Sequence, residues 1–178
     1  MGYLSATANS YGEYGLTSDA SAAMRISFGT SSCASSAVYP ELDITAQNGL
    51  TTYPLTGFIT GFSNTDNNLY SGSFNYAYFG GVATETPAGS PAITEPNSFS
   101  AASGVSRAVE SAVWSWSTST NALTPQWINT DGSFPTNYLV YVPSSVAFAL
   151  LGDVTAFSSN FVNVQVVTFT FVPSSSLP

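Results

Sequence analysis

Short hydrophobic stretches separated by turn-forming residues recur along the whole chain. Residues 23–29 alternate between apolar and polar side chains, which is typical of a half-buried strand. The same alternation runs through residues 41–46, and it ends at Asn48 and Gly49, a dipeptide favoured in hairpin turns. These patterns predict antiparallel strands joined by turns.

Further apolar runs predict the rest of the strands. The glycines of the run at 55–62 indicate bulges or a close approach of another part of the backbone. In the run at 164–172, alternation places Val167, Phe169 and Phe171 on one face. Strands are predicted at 55–62, 69–79, 114–116, 124–128, 137–142, 146–151 and 164–172.

Two segments show helical spacing instead. Apolar side chains recur at helical intervals within residues 105–113, and Ser103 is a candidate N-cap. On this interpretation, Glu110 lies on the helix surface near Arg107. A second short helix is predicted to begin after Asp153, which is suited to cap it.

Many short strands with little helix predict an all-β fold. We expect a single antiparallel β-sandwich with one or two short helices, while jelly-roll-like and barrel arrangements remain open. The 178 residues fit one domain. The proline-rich segment at 84–98 is the longest predicted loop, but it is too short to indicate a second domain, so we assign residues 1–178 to one β domain.

The charge of the chain excludes several classes of partner. There are two arginines, no lysine, no histidine and ten acidic residues, which gives a formal net charge of −8. Two cationic side chains cannot neutralise a phosphate backbone, so we expect no nucleic-acid partner. The same shortage disfavours anionic membranes, and no apolar run approaches the roughly 18 residues that span a bilayer.

The N-terminus lacks the basic and apolar regions of a signal peptide. Two locations therefore stay open: the cytoplasm, or the outside of the cell after removal of a leader. Cys33 has no partner for an internal disulfide and is interpreted as a small buried hydrophobe.

The residue types that most catalytic and metal sites require are missing. Without histidine and with one cysteine, zinc sites, copper sites and histidine-dependent nucleophiles are excluded. Asp66, Asp131 and Asp153 lie at predicted loops, but none has the spacing of a known calcium loop. We therefore predict no metal, no cofactor and no catalytic residues. A pair of carboxylates is the one catalytic device left open, so a glycoside hydrolase is the third alternative.

Aromatic residues among asparagine, serine and threonine suggest a different activity. Sugars present apolar C–H faces and rings of hydroxyl groups, and both suit a pocket with an aromatic face and polar side chains. Trp127 is followed closely by Asn129, Thr130 and Asp131 at a predicted turn, so these four residues form the candidate ligand-binding site. The alternative is that Trp127 belongs to the core. The predicted function is non-catalytic, lectin-like glycan binding.

The segment from Glu110 to Pro173 resembles small, uncharacterised Ser/Thr-rich β proteins of mushroom-forming (basidiomycete) fungi. The resemblance covers about the last third of the chain. It implies a fungal, non-enzymatic protein and no catalytic residues. The similar features are a Trp-to-Trp hairpin in ESAVWSWSTSTNALTPQWIN, the following T-DG turn, the segment GDVTAF and the strand VTFTFV.

The uncharged segment at 164–172 predicts self-association. Natural sheets protect exposed edges with charged residues, lysine above all, or with proline, and this segment has neither. We expect a homo-oligomer, and the alternative function is a self-assembling structural or surface protein that associates through its sheet edges. Repulsion between the carboxylates opposes association and weakens as they protonate near pH 4.

Overall fold

The computed structural model describes residues 2–30 and 37–173, and it is an all-β sandwich, as predicted. A 3-10 turn at Ala20–Ala22 and two short helices accompany the strands. The strands are β1 (Tyr3–Ala8), β2 (Tyr14–Thr17), β3 (Ile26–Ser27), β4 (Val38–Leu42), β5 (Ile44–Ala46), β6 (Leu55–Thr60), β7 (Tyr76–Val82), β8 (Val109–Glu110), β9 (Trp114–Ser117), β10 (Ala122–Pro125), β11 (Tyr138–Val142), β12 (Ala147–Leu151), β13 (Gln165–Val166) and β14 (Phe169–Thr170), and the helices are α1 (Ser98–Ser103) and α2 (Val154–Ser158).

The strands form a larger sheet, a smaller sheet and one hairpin, and all of their pairings are antiparallel. The larger sheet has the order β13-β11-β12-β7-β6-β5-β3, and β8 also pairs with β6. The smaller sheet has the order β14-β10-β9-β4. The hairpin consists of β1 and β2, and its Tyr14 is buried in the main core.

The chain crosses between the two sheets at both ends of the smaller sheet. β4 continues into β5 through Asp43, and β13 continues into β14 through residues 167–168. At the first crossing Glu41 has a left-handed φ of 55°, and the register between β4 and β9 shifts. This is a β-bulge, which bends a strand so that it can leave one sheet and join the next.

The main core lies between the sheets and is built from aromatic rings. Phe58, Phe79, Trp114, Phe148 and Phe169 form a chain of contacts with centroid separations of 5.0 to 6.1 Å. Most of these pairs are tilted or edge-to-face, the arrangement that ring quadrupoles favour. Val167, Phe169 and Phe171, which were predicted to share one face, all pack against this core.

The helices cover the outer face of the larger sheet. Phe99 of α1 packs over Ile59 and Val109, and Phe157 of α2 packs over Tyr76 and other residues of the sheet. All six residues of β6 are consequently buried. This burial fits a strand that carries only apolar residues, threonine and glycine. Gly57 is required because a Cβ at this position would lie 2.4 Å from the Glu110 carbonyl oxygen.

The predicted helix at 105–113 is wrong. The helix lies earlier, at α1, where the Asn97 side chain accepts a hydrogen bond from the Ser100 N–H at 2.8 Å, and Gly104 ends it with a φ of 73°. Glu110 belongs to β8 and pairs with Phe58 of the central strand. It is 2% exposed and is not part of a surface pair with Arg107, whose guanidinium donates to the Phe62 carbonyl.

Other boundaries also differ from the predictions. The strand predicted at 69–79 begins only at Tyr76, and the segment at 164–172 is two short strands in different sheets. The predicted cap at Asp153 is confirmed, since its carboxylate accepts a hydrogen bond from the Ala156 N–H at 2.9 Å. Cys33 lies outside the described residues. Within the described ranges, neither helix is long and apolar enough to cross a membrane.

Candidate functional site

The ring of Trp127 lies in the main core and does not face solvent. Its exposed fraction is 0%, and its Nε1–H donates to the Asn67 carbonyl at 2.9 Å. Its backbone N–H donates to Asn137 Oδ1 at 2.7 Å. The structure therefore places Trp127 where the alternative interpretation put it, and the ring has no free face on which a sugar can stack.

The side chains of Asn129 and Thr130 join two loops. Asn129 accepts a hydrogen bond from the Leu69 N–H at 2.9 Å and donates to the Leu69 carbonyl at 3.2 Å. The backbone N–H and hydroxyl of Thr130 donate to Asn68 Oδ1 at 2.8 and 2.9 Å. These bonds fix the segment between β10 and β11 against the loop between β6 and β7.

Asp131 stands at the tip of the predicted turn, which the structure confirms. The Asn129 N–H donates to the Ser133 carbonyl at 2.9 Å, and Gly132 adopts the left-handed conformation with a φ of 81°. Hydrogen bonds from the side chain and the backbone N–H of Ser133 hold the pKa of the Asp131 carboxyl below its ordinary value. Asp131 is therefore an exposed carboxylate at neutral pH.

A surface depression of about 300 Å³ lies beside this turn. Its volume is at the lower end of the range for small-ligand pockets, which matches about one sugar residue. Tyr70 is the aromatic residue of the depression, with 44% of its surface exposed. The depression is lined by Leu69, Tyr70, Ser71, Asn129, Ser133, Pro135, Thr136 and Gly152.

Gly152 and Asp153 hold the Tyr70 segment in place. Gly152 directly follows β12, and a Cβ on it would lie 2.3 Å from the Tyr70 nitrogen. The close approach of the two backbones therefore requires glycine at this position. Asp153 accepts hydrogen bonds from the Gly72 N–H at 2.8 Å and from the Ser71 hydroxyl at 3.5 Å. Backbone N–H donors from Ala156 and Gly72 lower the pKa of the Asp153 carboxyl.

The structure brings only Asn129 of the four predicted residues into the lining of the depression. Thr130 and Asp131 are exposed next to it, and Trp127 lies beneath the surface. Tyr70 was not among the predicted site residues, because its segment was predicted to be a strand. The flanking sequence NNLYSGS was a usable signal, since asparagine, serine and glycine on both sides of a tyrosine indicate an exposed loop.

The acidic groups with raised pKa are poorly placed for hydrolysis. Burial raises the pKa of Glu110 to about 9, and burial also raises the pKa of Glu13, yet these residues are only 2% and 4% exposed. Burial raises the pKa of Asp43 as well, although a hydrogen bond from the Ser111 hydroxyl acts in the opposite direction.

In the part of the chain that the structure describes, no three His, Cys, Asp or Glu side chains cluster as a metal site.

Comparisons of the chain with protein-family models, with curated proteins and with solved structures gave no match.

Proposed function

We propose that this protein binds carbohydrate without catalysis, through the depression lined by Tyr70. The observation that carries the proposal is an exposed tyrosine beside three side-chain hydroxyl groups in one concavity. A tyrosine face suits the C–H side of a pyranose, and hydroxyl groups suit its rim of hydroxyls. The site is built on the same turn that the sequence analysis selected, but Tyr70 replaces Trp127 as the aromatic platform.

The rigidity of the depression supports a binding role. Leu69 is held on both its N–H and its carbonyl by Asn129, and the following residues are held by Asp153. A loop that is already ordered loses little conformational entropy when a ligand binds. The depression is therefore organised before a sugar arrives.

A non-catalytic role fits the placement of the acids. Glycoside hydrolysis needs two carboxyl groups on either side of the bond to be broken, one of them with a raised pKa. The raised pKa values belong to Glu110 and Glu13 in the interior and to half-buried Asp43, and none of these residues lines the depression. A hydrolase therefore remains the third and least supported alternative.

A glycan-array screen followed by titration of the best ligand tests the proposal. Tyr70→Ala is expected to reduce affinity at least tenfold, because it removes the stacking surface while leaving the backbone bonds of its loop. Tyr11→Ala is the matched control, since Tyr11 is also exposed, at 58%, and does not line the depression. Equal loss in both variants, or no glycan bound at millimolar concentration, contradicts the proposal.

Self-assembly through sheet edges is the second candidate function, and one observation favours it. β13 is the terminal strand of the larger sheet, and Val166 on it is 60% exposed, with Tyr138 of the neighbouring β11 40% exposed. An apolar edge of this kind can pair with the same edge of a second copy. The shortness of β13, only two residues, limits the number of hydrogen bonds that such a homo-oligomer gains.

A further inference from the structure

Two carboxylates flank the depression, and neither arginine of the chain lines it. Asp153 directly follows the lining residue Gly152 and accepts a hydrogen bond from the lining residue Ser71. Asp131 lies between the lining residues Asn129 and Ser133 and accepts a hydrogen bond from the latter at 2.9 Å. Any ligand in the depression is therefore close to two negative charges.

From this charge distribution we propose that the depression selects saccharides that carry a free ammonium group, such as amino sugars. It ranks neutral saccharides second and disfavours saccharides that carry a carboxylate or a sulfate. This inference rests on the proposed carbohydrate-binding function and specifies the ligand class of the same site.

The net charge of the whole protein acts in the same direction. With −8 overall, the protein repels anionic polysaccharides at long range and attracts cationic ones. The two flanking carboxylates add a local contribution that depends on where the ligand charge sits. Opposite charges near a protein surface contribute modestly, and we expect a preference of about two- to threefold for each carboxylate at low salt.

The experiment compares three oligosaccharides of equal length by calorimetric titration: one of glucosamine, one of N-acetylglucosamine and one of glucuronic acid. At about pH 5 the sugar amine is protonated, and both aspartates stay ionised because their pKa values are lowered. The test variant is Asp131→Asn with Asp153→Asn. Asparagine at 131 still accepts the Ser133 N–H bond, so the turn is retained. Asparagine at 153 keeps the Ala156 N–H bond of the α2 cap but loses the acceptor of the Gly72 N–H, because it has a single carboxamide oxygen. Unchanged affinity of the variant for the neutral N-acetylglucosamine oligomer is therefore the check that the depression is intact.

The control variant makes the same change in net charge away from the depression. Asp19→Asn with Glu41→Gln removes two exposed carboxylates that do not line it. Tyr70→Ala serves as the second control, because all saccharide binding at this site should be lost with the tyrosine.

We expect the wild type and the control double variant to bind the amino sugar about fivefold more tightly than the N-acetylated one. The preference should fall below twofold in the Asp131/Asp153 double variant and in about 1 M salt, where the Debye length is about 3 Å. Equal affinity of the wild type for the glucuronic acid and glucosamine oligomers overturns the inference but leaves carbohydrate binding intact. If no saccharide binding depends on Tyr70, both this inference and the proposed carbohydrate-binding function are overturned.

Discussion

Replacing Glu110 with glutamine should make the stability of the protein less dependent on pH. Both carboxyl oxygens of Glu110 lie within hydrogen-bond distance of the Ile128 N–H, at 3.3 and 3.1 Å, and the residue is 2% exposed. Burial raises its pKa from 4.5 to about 9, so the folded protein holds it as a neutral acid at pH 7.

The sign follows from the difference in bound protons. Between pH 4.5 and about 9 the folded state keeps a proton on Glu110 that the unfolded state releases. The stabilising contribution is fully present below pH 4.5 and falls by about 1.4 kcal/mol per pH unit as the pH rises through this window. From pH 6 to pH 8 the free energy of unfolding should therefore fall by about 3 kcal/mol.

Glu110→Gln should remove this slope, because glutamine is neutral at every pH and its amide oxygen still accepts the Ile128 N–H bond. We expect the variant to match the wild type within about 1 kcal/mol at pH 4.5. It should exceed the wild type by about 2 kcal/mol at pH 6 and by about 5 kcal/mol at pH 8. For a domain of this size, 3 kcal/mol corresponds to about 6–12 °C in Tm.

Urea and thermal unfolding at pH 6, 7 and 8 measure the effect. Glu41→Gln is the control, since Glu41 is exposed on β4 and should leave the slope unchanged. The pKa values of Glu13 and Asp43 are raised in the same direction as that of Glu110, so these two residues are expected to account for the slope that remains in the Glu110 variant. A wild type and a Glu110→Gln variant with parallel pH profiles would refute the assignment of a neutral, buried Glu110.

Four further predictions can be checked independently. Gly152→Ala should displace the Tyr70 backbone and abolish glycan binding while the far-UV circular dichroism stays unchanged; normal binding would contradict the close approach. Trp127→Ala should lower the free energy of unfolding by about 3–5 kcal/mol, because the ring is fully buried, and a loss below 1 kcal/mol in urea titration would contradict its place in the core. Light scattering from pH 7 to pH 4 should show increasing association that Val166→Lys reduces, and a strictly monomeric protein over this range refutes the edge model. Assays with polysaccharide substrates at neutral pH should show no turnover, and sustained hydrolysis lost on mutation of one acidic residue would refute the non-catalytic role.

The strands of the core could be predicted from the sequence because most of their side chains are buried, and burial requires apolar residues along the strand. β11 and β12 are apolar along their length, β6 is apolar apart from its two threonines, and all three fall within the predicted bounds. The cap at Asp153 was also accessible, since an N-cap bond is made within three residues of the capping side chain. Interactions between residues close in sequence are sufficient to predict features of this kind.

Long-range packing determines the features that the sequence misplaced. Val109 and Glu110 lie in a segment whose apolar residues have helical spacing. Their backbone nevertheless pairs with β6, some fifty residues away. Tyr70 was assigned to a strand because an apolar run follows it, whereas Asn129 and Asp153 from distant segments hold it in a loop. The local sequence around Tyr70 is sufficient to indicate an exposed loop, but the contacts that hold this loop beside the depression come from distant segments.

The crossing from β13 to β14 has a consequence for synthesis of the protein. One short segment supplies the last strand of both sheets, and Phe169 within it contacts the rings of Phe79, Trp114 and Phe148. In a nascent chain that has not yet released this segment from the ribosome, β10 and β11 each have one unpaired edge, and the aromatic core lacks Phe169. Both sheets are therefore completed only late in synthesis, and a ribosome that stalls before residue 165 leaves a chain with an open strand edge in each sheet, where other nascent chains can pair.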